Sequence, residues 1–232
     1  MSTPAPAPAP ARALVGEQLS YRYDRHTPWV LHEYSITVPA GRVTGLRGPS
    51  GCGKSTLGAL LGGLRRPTGG TVRVDGEPLR AASGVSPVQV VLQQPDRAMN
   101  PRWKIRQVLA EAFAGKPSAA IEQATARVEA EWDAHHGLVS PAWLDRFPHE
   151  ISGGELQRVN LARALFTSPR YLVADEISAS LDAITQTVLW HRLDHEASEN
   201  GVGVLAISHD TPLLEQVADE VLDFRVPALS LS

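Results

Sequence analysis

The sequence predicts an α/β fold built around a mostly parallel β-sheet. Residues 171–174 and 202–207 are apolar runs with little polar alternation, which is typical of strands buried on both faces. Residues 181–198 lie between them and predict a helix, and strand–helix–strand order favours two parallel strands in one sheet. A glycine-rich loop follows another predicted strand, at residues 42–47. The 232 residues suffice for one domain with a subdomain.

The N-terminal half is predicted to contribute further strands, separated by turns. The segment Pro39-Ala40-Gly41 and the dipeptide Asp75-Gly76 are turn signals. The predicted strands around these turns are residues 14–23, 29–38, 42–47, 71–74 and 88–92. The last segment is an apolar run long enough only for a buried strand.

Helices are predicted after the glycine-rich loop and in the middle of the chain. One helix is expected to begin near Ser55, and another to span residues 154–166. Residues 105–132 are rich in alanine, glutamate and glutamine at helical spacing, which favours helices there. The middle of the chain therefore differs in character from the strand-rich regions on either side.

Composition restricts the class of protein. Residues 3–11 alternate proline and alanine, so residues 1–12 are predicted to be a disordered tail, with a docking arm as the alternative. One cysteine allows no internal disulfide, and 22 basic against 25 acidic residues give a formal charge of −3. That charge does not favour nucleic acid as a partner. No apolar run approaches the roughly 20 residues of a membrane span, and no signal peptide is recognisable, so a cytoplasmic location is expected.

The strongest motif is the glycine-rich loop at residues 48–56, which matches the Walker A pattern in full. Its glycines let backbone amides turn toward an anion, and the following helix N-terminus adds partial positive charge. Lys54 can reach the β- and γ-phosphates, and Ser55 can offer a hydroxyl to Mg²⁺. The alternative is a flexible turn. The predicted nucleotide-binding residues are Gly48, Ser50, Gly51, Cys52, Gly53, Lys54, Ser55 and Thr56.

A second acidic motif follows the predicted strand at residues 171–174. Side chains alternate along a strand, so Asp175 and Glu176 are expected to point in different directions. Asp175 can hold the Mg²⁺ shell, while Glu176 can take a proton from an attacking water. An apolar strand ending in two carboxylates is only moderately specific alone, but it is informative beside an intact Walker A motif.

Residues 151–158, Ile-Ser-Gly-Gly-Glu-Leu-Gln-Arg, distinguish among nucleotide-binding families. This segment resembles the signature motif of ATP-binding cassette (ABC) ATPases, most of which read Leu-Ser-Gly-Gly-Gln. Ile151 replaces the leucine and Glu155 the glutamine, and neither change removes the resemblance. Ser152, Gly153 and Gly154 open a predicted helix, where a hydroxyl and free amides form a second anion site. A plain helix cap is the alternative.

The resemblance implies roles for four more residues, in the family's order along the chain. Tyr23 matches the aromatic residue that stacks on adenine, with Tyr21 as its rival. Gln93 matches the Q-loop glutamine that touches Mg²⁺ and the attacking water, although Gln94 is adjacent. The two others follow the acidic motif: Asp182 in the D-loop and His209 as the switch histidine facing the γ-phosphate.

One departure from the family concerns the residue after Glu176. The family usually has proline there, whereas this chain has Ile177. Proline fixes φ, so its loss is expected to loosen the loop toward Asp182 without removing a catalytic atom. We therefore expect an active site, with Glu176, His209 and Gln93 as its catalytic residues.

The resemblance also implies an architecture and an activity. The expected fold is a P-loop (RecA-like) sheet with an N-terminal antiparallel β subdomain and an inserted helical subdomain, roughly residues 95–165, within an ATPase domain at residues 13–232. The expected function is ATP binding and hydrolysis, with ATP and Mg²⁺ as cofactors, as a subunit of a membrane ABC importer. Such a subunit is cytoplasmic and peripheral on the inner face of the membrane.

Two short segments narrow the resemblance to importers of dipeptides, oligopeptides, nickel or metallophores. They are residues 100–102 after Gln93 and residues 146–150 before the signature. Many peptide-type members carry a C-terminal extension that is not seen here, which favours the nickel or metallophore side weakly. Trp103 and Trp143 are candidates for core packing or for contact with membrane subunits, and core packing is the favoured alternative.

The implied partners follow from how this family binds nucleotide, with Walker A of one subunit facing the signature of another. A paralogous ATPase is favoured over a second copy of the chain, together with transmembrane permease subunits and, indirectly, a substrate-binding protein. One alternative is a soluble ABC ATPase that remodels a protein or nucleic-acid complex. Another is a non-catalytic nucleotide sensor, which intact Lys54, Asp175, Glu176 and His209 argue against.

Overall fold

The computed structural model describes residues 12–79, 84–134 and 137–224. The predicted proline–alanine tail, up to residue 11, lies outside these ranges and stays a prediction. Arg12, its last residue, is described: its carbonyl accepts a hydrogen bond from the Ala40 amide at 3.1 Å. Among the described residues, no helix is both long enough and apolar enough to cross a membrane.

Strands and helices alternate through much of the described chain. The strands are β1 Ala13–Tyr21, β2 Leu31–Pro39, β3 Val43–Arg47, β4 Gly69–Val74, β5 Glu77–Pro78, β6 Val88–Val91, β7 Tyr171–Asp175, β8 Gly203–Ser208 and β9 Glu220–Asp223. The α-helices are α1 Lys54–Leu61, α2 Ile105–Ala110, α3 Pro117–Asp133, α4 Gly153–Phe166, α5 Ala183–Ser198 and α6 Thr211–Val217. Short 3₁₀ turns occur at Pro95–Ala98, Pro141–Trp143 and Pro148–Glu150.

A five-stranded parallel sheet forms the centre, in the order β6-β7-β8-β3-β9. Every residue of β7 and β8 is buried, because both faces of the sheet are covered. Leu172 and Ala174 face one apolar cluster, with α4 and α5, while Val173 faces the other, with α1. The predicted α/β class with a mostly parallel sheet is confirmed. The carboxyl ends of β3, β7 and β8 meet at one edge, where ligands bind in sheets of this kind.

An antiparallel sheet, ordered β2-β1-β4-β5, covers the α1 side of this core. Its pairing shifts register near Gln18, which has a left-handed φ of 49°. A Cβ at Gly70 would lie 2.4 Å from the Gln18 carbonyl oxygen, so only glycine fits opposite this bulge. The two sheets are joined where the Tyr171 hydroxyl donates to Asp75 at 2.5 Å.

The helical middle of the chain packs against α4. Residues 105–132 form two helices: α2 ends at Ala110, and α3 begins at Pro117 after a turn in which Gly115 has a φ of 118°. A charge network then ties α3 to α5. The carboxylate of Glu131 accepts from Arg127 at 3.1 Å and from Arg192 at 3.4 Å, and Arg192 also pairs with Glu196 at 2.8 Å.

The structure differs from the predicted elements mainly at the C-terminal end. Helix α6 and strand β9 were not predicted, because each is short and carries no marked periodicity. β6 ends at Val91, one residue earlier than predicted, and Leu92 is exposed. That early end releases the chain from the sheet just before Gln93.

Candidate active site

A cleft of about 420 Å³ opens at the carboxyl edge of the parallel sheet. Most of its lining residues were predicted as site residues from the sequence, and they come from five separate segments. The lining residues are Tyr23, Val30, Ser50, Gly51, Gly53, Lys54, Ser55, Thr56, Gln93, Glu176 and His209. The fold therefore brings the Walker A loop together with Gln93, Glu176 and His209.

The Walker A loop joins β3 to α1 and depends on glycine. Gly51 and Gly53 have φ of 77° and 114°, a region that side chains other than glycine rarely adopt. A Cβ at Gly53 would also lie 3.1 Å from the Val30 carbonyl oxygen. The loop can therefore turn tightly and present its amides to the cleft.

Lys54 is held against this loop. It is only 5% exposed, and its Nζ donates to the carbonyls of Gly48 at 2.7 Å and Pro49 at 2.9 Å. An ammonium group has three donors, so these two bonds leave one for a ligand in the cleft. The arrangement fixes the charge at the cleft wall before any anion binds.

Cys52 takes a different place from the other loop residues. Its side chain is partly buried against the cluster that contains Tyr34 and Phe224, and it does not line the cleft. Burial, together with the neighbouring Cys52, raises the pKa of the Tyr34 hydroxyl. Cys52 can thus face a nucleotide only through its backbone.

Asp175, at the end of β7, is the buried acid of the site. It is 6% exposed, and its Oδ1 has no hydrogen-bond partner among the described residues. Burial raises its pKa, while a hydrogen bond from Ser55 and the charge of Lys54 partly oppose that rise. An orphaned carboxylate oxygen beside a serine hydroxyl fits a hard cation that takes oxygen ligands, such as Mg²⁺.

Glu176 turns out of the strand into the cleft. Its φ is 52°, a left-handed value that few residues other than glycine adopt, and its amide donates to the Ile207 carbonyl at 2.9 Å. Its two carboxylate oxygens each lie 2.9 Å from Nδ1 of His209. Asp175 and Glu176 thus face different surroundings, as expected, but the left-handed turn at Glu176 and not strand alternation is the cause.

The structure distinguishes between the neighbouring candidates that the sequence left open. Tyr23 lines the cleft, is 62% exposed, and has its hydroxyl 3.4 Å from Thr56 Oγ1. The rival Tyr21 does not line the cleft. Gln93 lines the cleft whereas Gln94 does not. The geometry therefore favours Tyr23 and Gln93 as the candidates.

The signature segment caps helix α4. Ser152 Oγ accepts from the Glu155 amide at 3.3 Å, and Glu155 Oε2 accepts from the Ser152 amide at 2.7 Å. This capping box lowers the pKa of the Glu155 carboxyl, chiefly through the Ser152 amide. Two amides are thus already engaged, and those of Gly153 and Gly154 remain for an anion. None of these residues lines the Walker A cleft.

The loop after Glu176 begins with two buried residues, although it lacks the family's proline. Ile177 is 2% exposed, and Ser178 Oγ accepts from the indole of Trp190 at 3.2 Å. Asp182 ends the loop by capping α5, accepting from the Thr185 amide at 2.9 Å, which lowers the pKa of its carboxyl. The loosening of the loop toward Asp182, expected from the missing proline, stays a prediction.

Buried polar residues of α4 next to the site were missed in the sequence. The side chains of Gln157 and Asn160 are 2% exposed, and both donate to the Leu92 carbonyl, at 3.3 and 3.5 Å. They hold the backbone immediately before Gln93. Their spacing of three, which places both on one face of the helix, was the available signal.

The two predicted tryptophans also differ in their surroundings. Trp143 is 8% exposed and lies under the Arg158 guanidinium, 4.9 Å from its ring centroid, so it packs in the interior. Trp103 is 37% exposed at the edge of a shallow apolar groove.

Comparison with known proteins identifies the family. The family model described as "ABC transporter" matches residues 31–179. The nickel import ATP-binding protein NikE of Brucella suis is 35% identical over 199 residues, covering 83% of this chain and 74% of the relative. A protein of Bacillus subtilis named "Putative oligopeptide transport ATP-binding protein YkfD" is 33% identical over 213 residues. The match covers 88% of this chain and 64% of that relative.

Solved structures agree on the fold. A dimeric post-hydrolysis structure of the ATP-binding cassette MJ0796, bound to ADP and phosphate, superposes with a TM-score of 0.75 at 20% identity, covering 91% of this chain and 94% of that one. CbiO1 of Clostridium perfringens, part of the ABC transporter complex cbiONQ, superposes with a TM-score of 0.73 at 23% identity. The match covers 91% of this chain and 84% of that one. The chain therefore belongs to the ABC transporter family, as an ATP-binding subunit that hydrolyses ATP.

Proposed function

We propose that the cleft binds MgATP and that this chain powers import of nickel, a metal chelate or an oligopeptide through membrane subunits. One observation carries the site assignment: a single cleft holds the Walker A loop with Gln93, Glu176 and His209. Phosphate-binding donors, a carboxylate base and a histidine around one space are what hydrolysis of a phosphoanhydride requires.

In this proposal the chain's own residues divide the work of hydrolysis. The remaining N–H of Lys54 and the amides of the loop bind the β- and γ-phosphates. Glu176 accepts the proton of the attacking water, and the imidazole of His209, 2.9 Å away, keeps that carboxylate oriented in the cleft. Tyr23 offers its exposed ring to the adenine base.

Mg²⁺ fits the same site through oxygen donors. Ser55 and Asp175 would hold it, together with the amide oxygen of Gln93. When bound, it would neutralise charge that develops on the phosphate oxygens. The orphaned oxygen of Asp175 then gains a partner, which offsets the cost of its burial.

The active unit is proposed to be a pair of ATPase subunits. Along the described chain, the signature residues Ser152, Gly153 and Gly154 are absent from the lining of the Walker A cleft. The unused amides of Gly153 and Gly154 are therefore available to the nucleotide of a second subunit. The dimeric cassette among the similar structures supports this arrangement. A paralogous partner is favoured over a second copy.

The cargo is proposed from the names of the relatives. Those at 33–35% identity are named for nickel import and oligopeptide transport, which supports an importer with one of these cargoes. The chain would then bind the inner face of the membrane through permease subunits, with a substrate-binding protein delivering the cargo.

The test uses the complex of this chain with its partner ATPase and permeases in proteoliposomes. Uptake of radioactive nickel and of a labelled oligopeptide is measured together with the ATPase rate. Wild-type complex should import one of the two in an ATP-dependent manner. Lys54→Ala should disable one site and Ser152→Arg the other, and the combined variant should lose all activity.

The control is Lys116→Ala, which removes an exposed lysine that does not line the Walker A cleft and should leave both rates unchanged. In a homodimer each single substitution would strike both sites and abolish activity alone. Full ATPase activity of the isolated chain, with no dimer detectable under MgATP, would contradict the shared site. ATP-dependent uptake of neither cargo would contradict the importer proposal.

A further inference from the structure

A cation lies against the ring of Tyr23. The guanidinium of Arg65 is 5.2 Å from the Tyr23 ring centroid and 5.8 Å from that of Tyr21. Its NH1 also donates to the Tyr21 hydroxyl at 2.8 Å. The two tyrosine rings meet edge to face at 5.4 Å, so the three side chains form one cluster.

Arg65 lies outside the nucleotide cleft. It lines a separate cleft at the C-terminal end of α1, while Tyr23 lines the nucleotide cleft and does not line the separate one. The arginine therefore contacts Tyr23 without occupying the space that a base would take. At 62% exposure the Tyr23 ring has little other packing to hold it.

The backbone of Arg65 ties this cluster to the phosphate loop. Its amide donates to the Ala59 carbonyl in α1 at 3.1 Å, and α1 begins at Lys54. Arg65 thus lies in the segment just after the helix that begins at Lys54, and its guanidinium reaches the aromatic side of the cleft. The position of the Tyr23 ring becomes linked to that of the phosphate-binding residues.

We propose that Arg65 is a positioning residue that holds the Tyr23 ring for stacking on the adenine base. The inference rests on the proposed role of Tyr23. A guanidinium stacked on an aromatic face restrains the ring, so less conformational freedom is lost when a base stacks on it. Arg65 then contributes to recognition of the base and not to binding of the phosphates.

The test compares dissociation constants for ATP and for tripolyphosphate, which has the phosphates but no base. Both are measured with Mg²⁺ by calorimetry on the full chain. An exposed cation–π contact predicts that Arg65→Ala weakens ATP binding about two- to fivefold. Binding of tripolyphosphate should not change.

The matched control is Arg66→Ala. Arg66 is the adjacent exposed arginine, and its substitution removes the same charge without touching the tyrosine rings. It should leave both constants unchanged. In a Tyr23→Ala background, Arg65→Ala should cause no further loss of ATP affinity, because the ring that it positions is gone.

Equal weakening of ATP and tripolyphosphate by Arg65→Ala would overturn the inference, because a loss of charge or of folding acts on both ligands. If Tyr23→Ala selectively weakens ATP but Arg65→Ala does not, the positioning role alone fails. If Tyr23→Ala changes both ligands equally or neither, Tyr23 is not the base contact. The proposed role of Tyr23 and this inference then fail together, whereas the assignment of the phosphate-binding residues stands.

Discussion

Asp175→Asn should stabilise the nucleotide-free protein while impairing its Mg²⁺-dependent binding of ATP. Asp175 is 6% exposed and leaves Oδ1 without a hydrogen-bond partner in the described chain. Asparagine has nearly the same shape, keeps an oxygen for Ser55, and carries no charge. The substitution therefore removes the buried charge without opening a cavity.

The magnitude follows from the orphaned oxygen. An unsatisfied buried polar group costs about 1–3 kcal/mol, and more when it is charged. The asparagine amide still lacks a full set of partners, so we expect a gain of about 1–2 kcal/mol. For a chain of this length each kcal/mol corresponds to about 2–4 °C in Tm, which predicts a rise of about 2–8 °C.

The effect should depend on pH with a defined sign. Burial raises the pKa of Asp175 in the folded state above its unfolded value, so ionisation costs more in the folded protein. Above the pKa of Asp175 in the folded state, the buried charge lowers the stability of the wild type by its full cost. That cost disappears as pH falls toward the pKa of the unfolded state. The Tm advantage of Asp175→Asn should therefore be full at neutral pH and shrink in mildly acidic buffer.

The assay is thermal unfolding without nucleotide, followed by calorimetric binding of ATP with and without Mg²⁺. Asp75→Asn is the matched control, since Asp75 accepts from Tyr171 at 2.5 Å and from Arg170 at 2.7 Å. Losing charge-assisted bonds of this kind should cost about 1.5–3 kcal/mol, so its Tm should fall. A lower Tm for nucleotide-free Asp175→Asn at neutral pH would refute the reasoning.

Two further predictions concern catalysis and packing. Glu176→Gln should retain ATP binding, slow hydrolysis by about 10²–10⁴-fold, and accumulate an ATP-bound dimer; near-normal turnover would remove Glu176 as the base. Trp143→Ala should lower the free energy of unfolding in urea by about 3–5 kcal/mol, because this ring is buried. Trp103→Ala, at an exposed ring, should cost less than about 1 kcal/mol, and equal losses for the two variants would contradict the burial argument.

The sequence by itself determined the features that depend on local chemistry. The glycine spacing of the Walker A loop, the apolar run before Asp175 and the helix that opens at Ser152 each depend on a few neighbouring residues. Backbone conformation and hydrogen bonding between near neighbours decide such features, so they could be predicted without knowing the fold. The parallel sheet followed because strand–helix–strand order leaves few topologies.

Only the tertiary structure decided which neighbouring candidates reach the cleft. Tyr23 lines it and Tyr21 does not, although the two residues lie two positions apart on the same segment. Cys52 lies inside the Walker A motif, yet its side chain packs away from the cleft. Motif matching assigns all residues of a loop alike, whereas the direction of each side chain depends on packing from distant segments.

Two contacts at the site were also decided only by the tertiary structure. Glu176 pairs with His209, and Arg65 contacts Tyr23. Each joins residues more than 30 positions apart, a separation over which sequence spacing carries no geometric information. Helix α6 and strand β9 also depend on the tertiary structure, because both are short and are stabilised by packing on β3. Local propensity specifies an element only when it is long enough to be stable alone, and contacts across the sheet supply the rest.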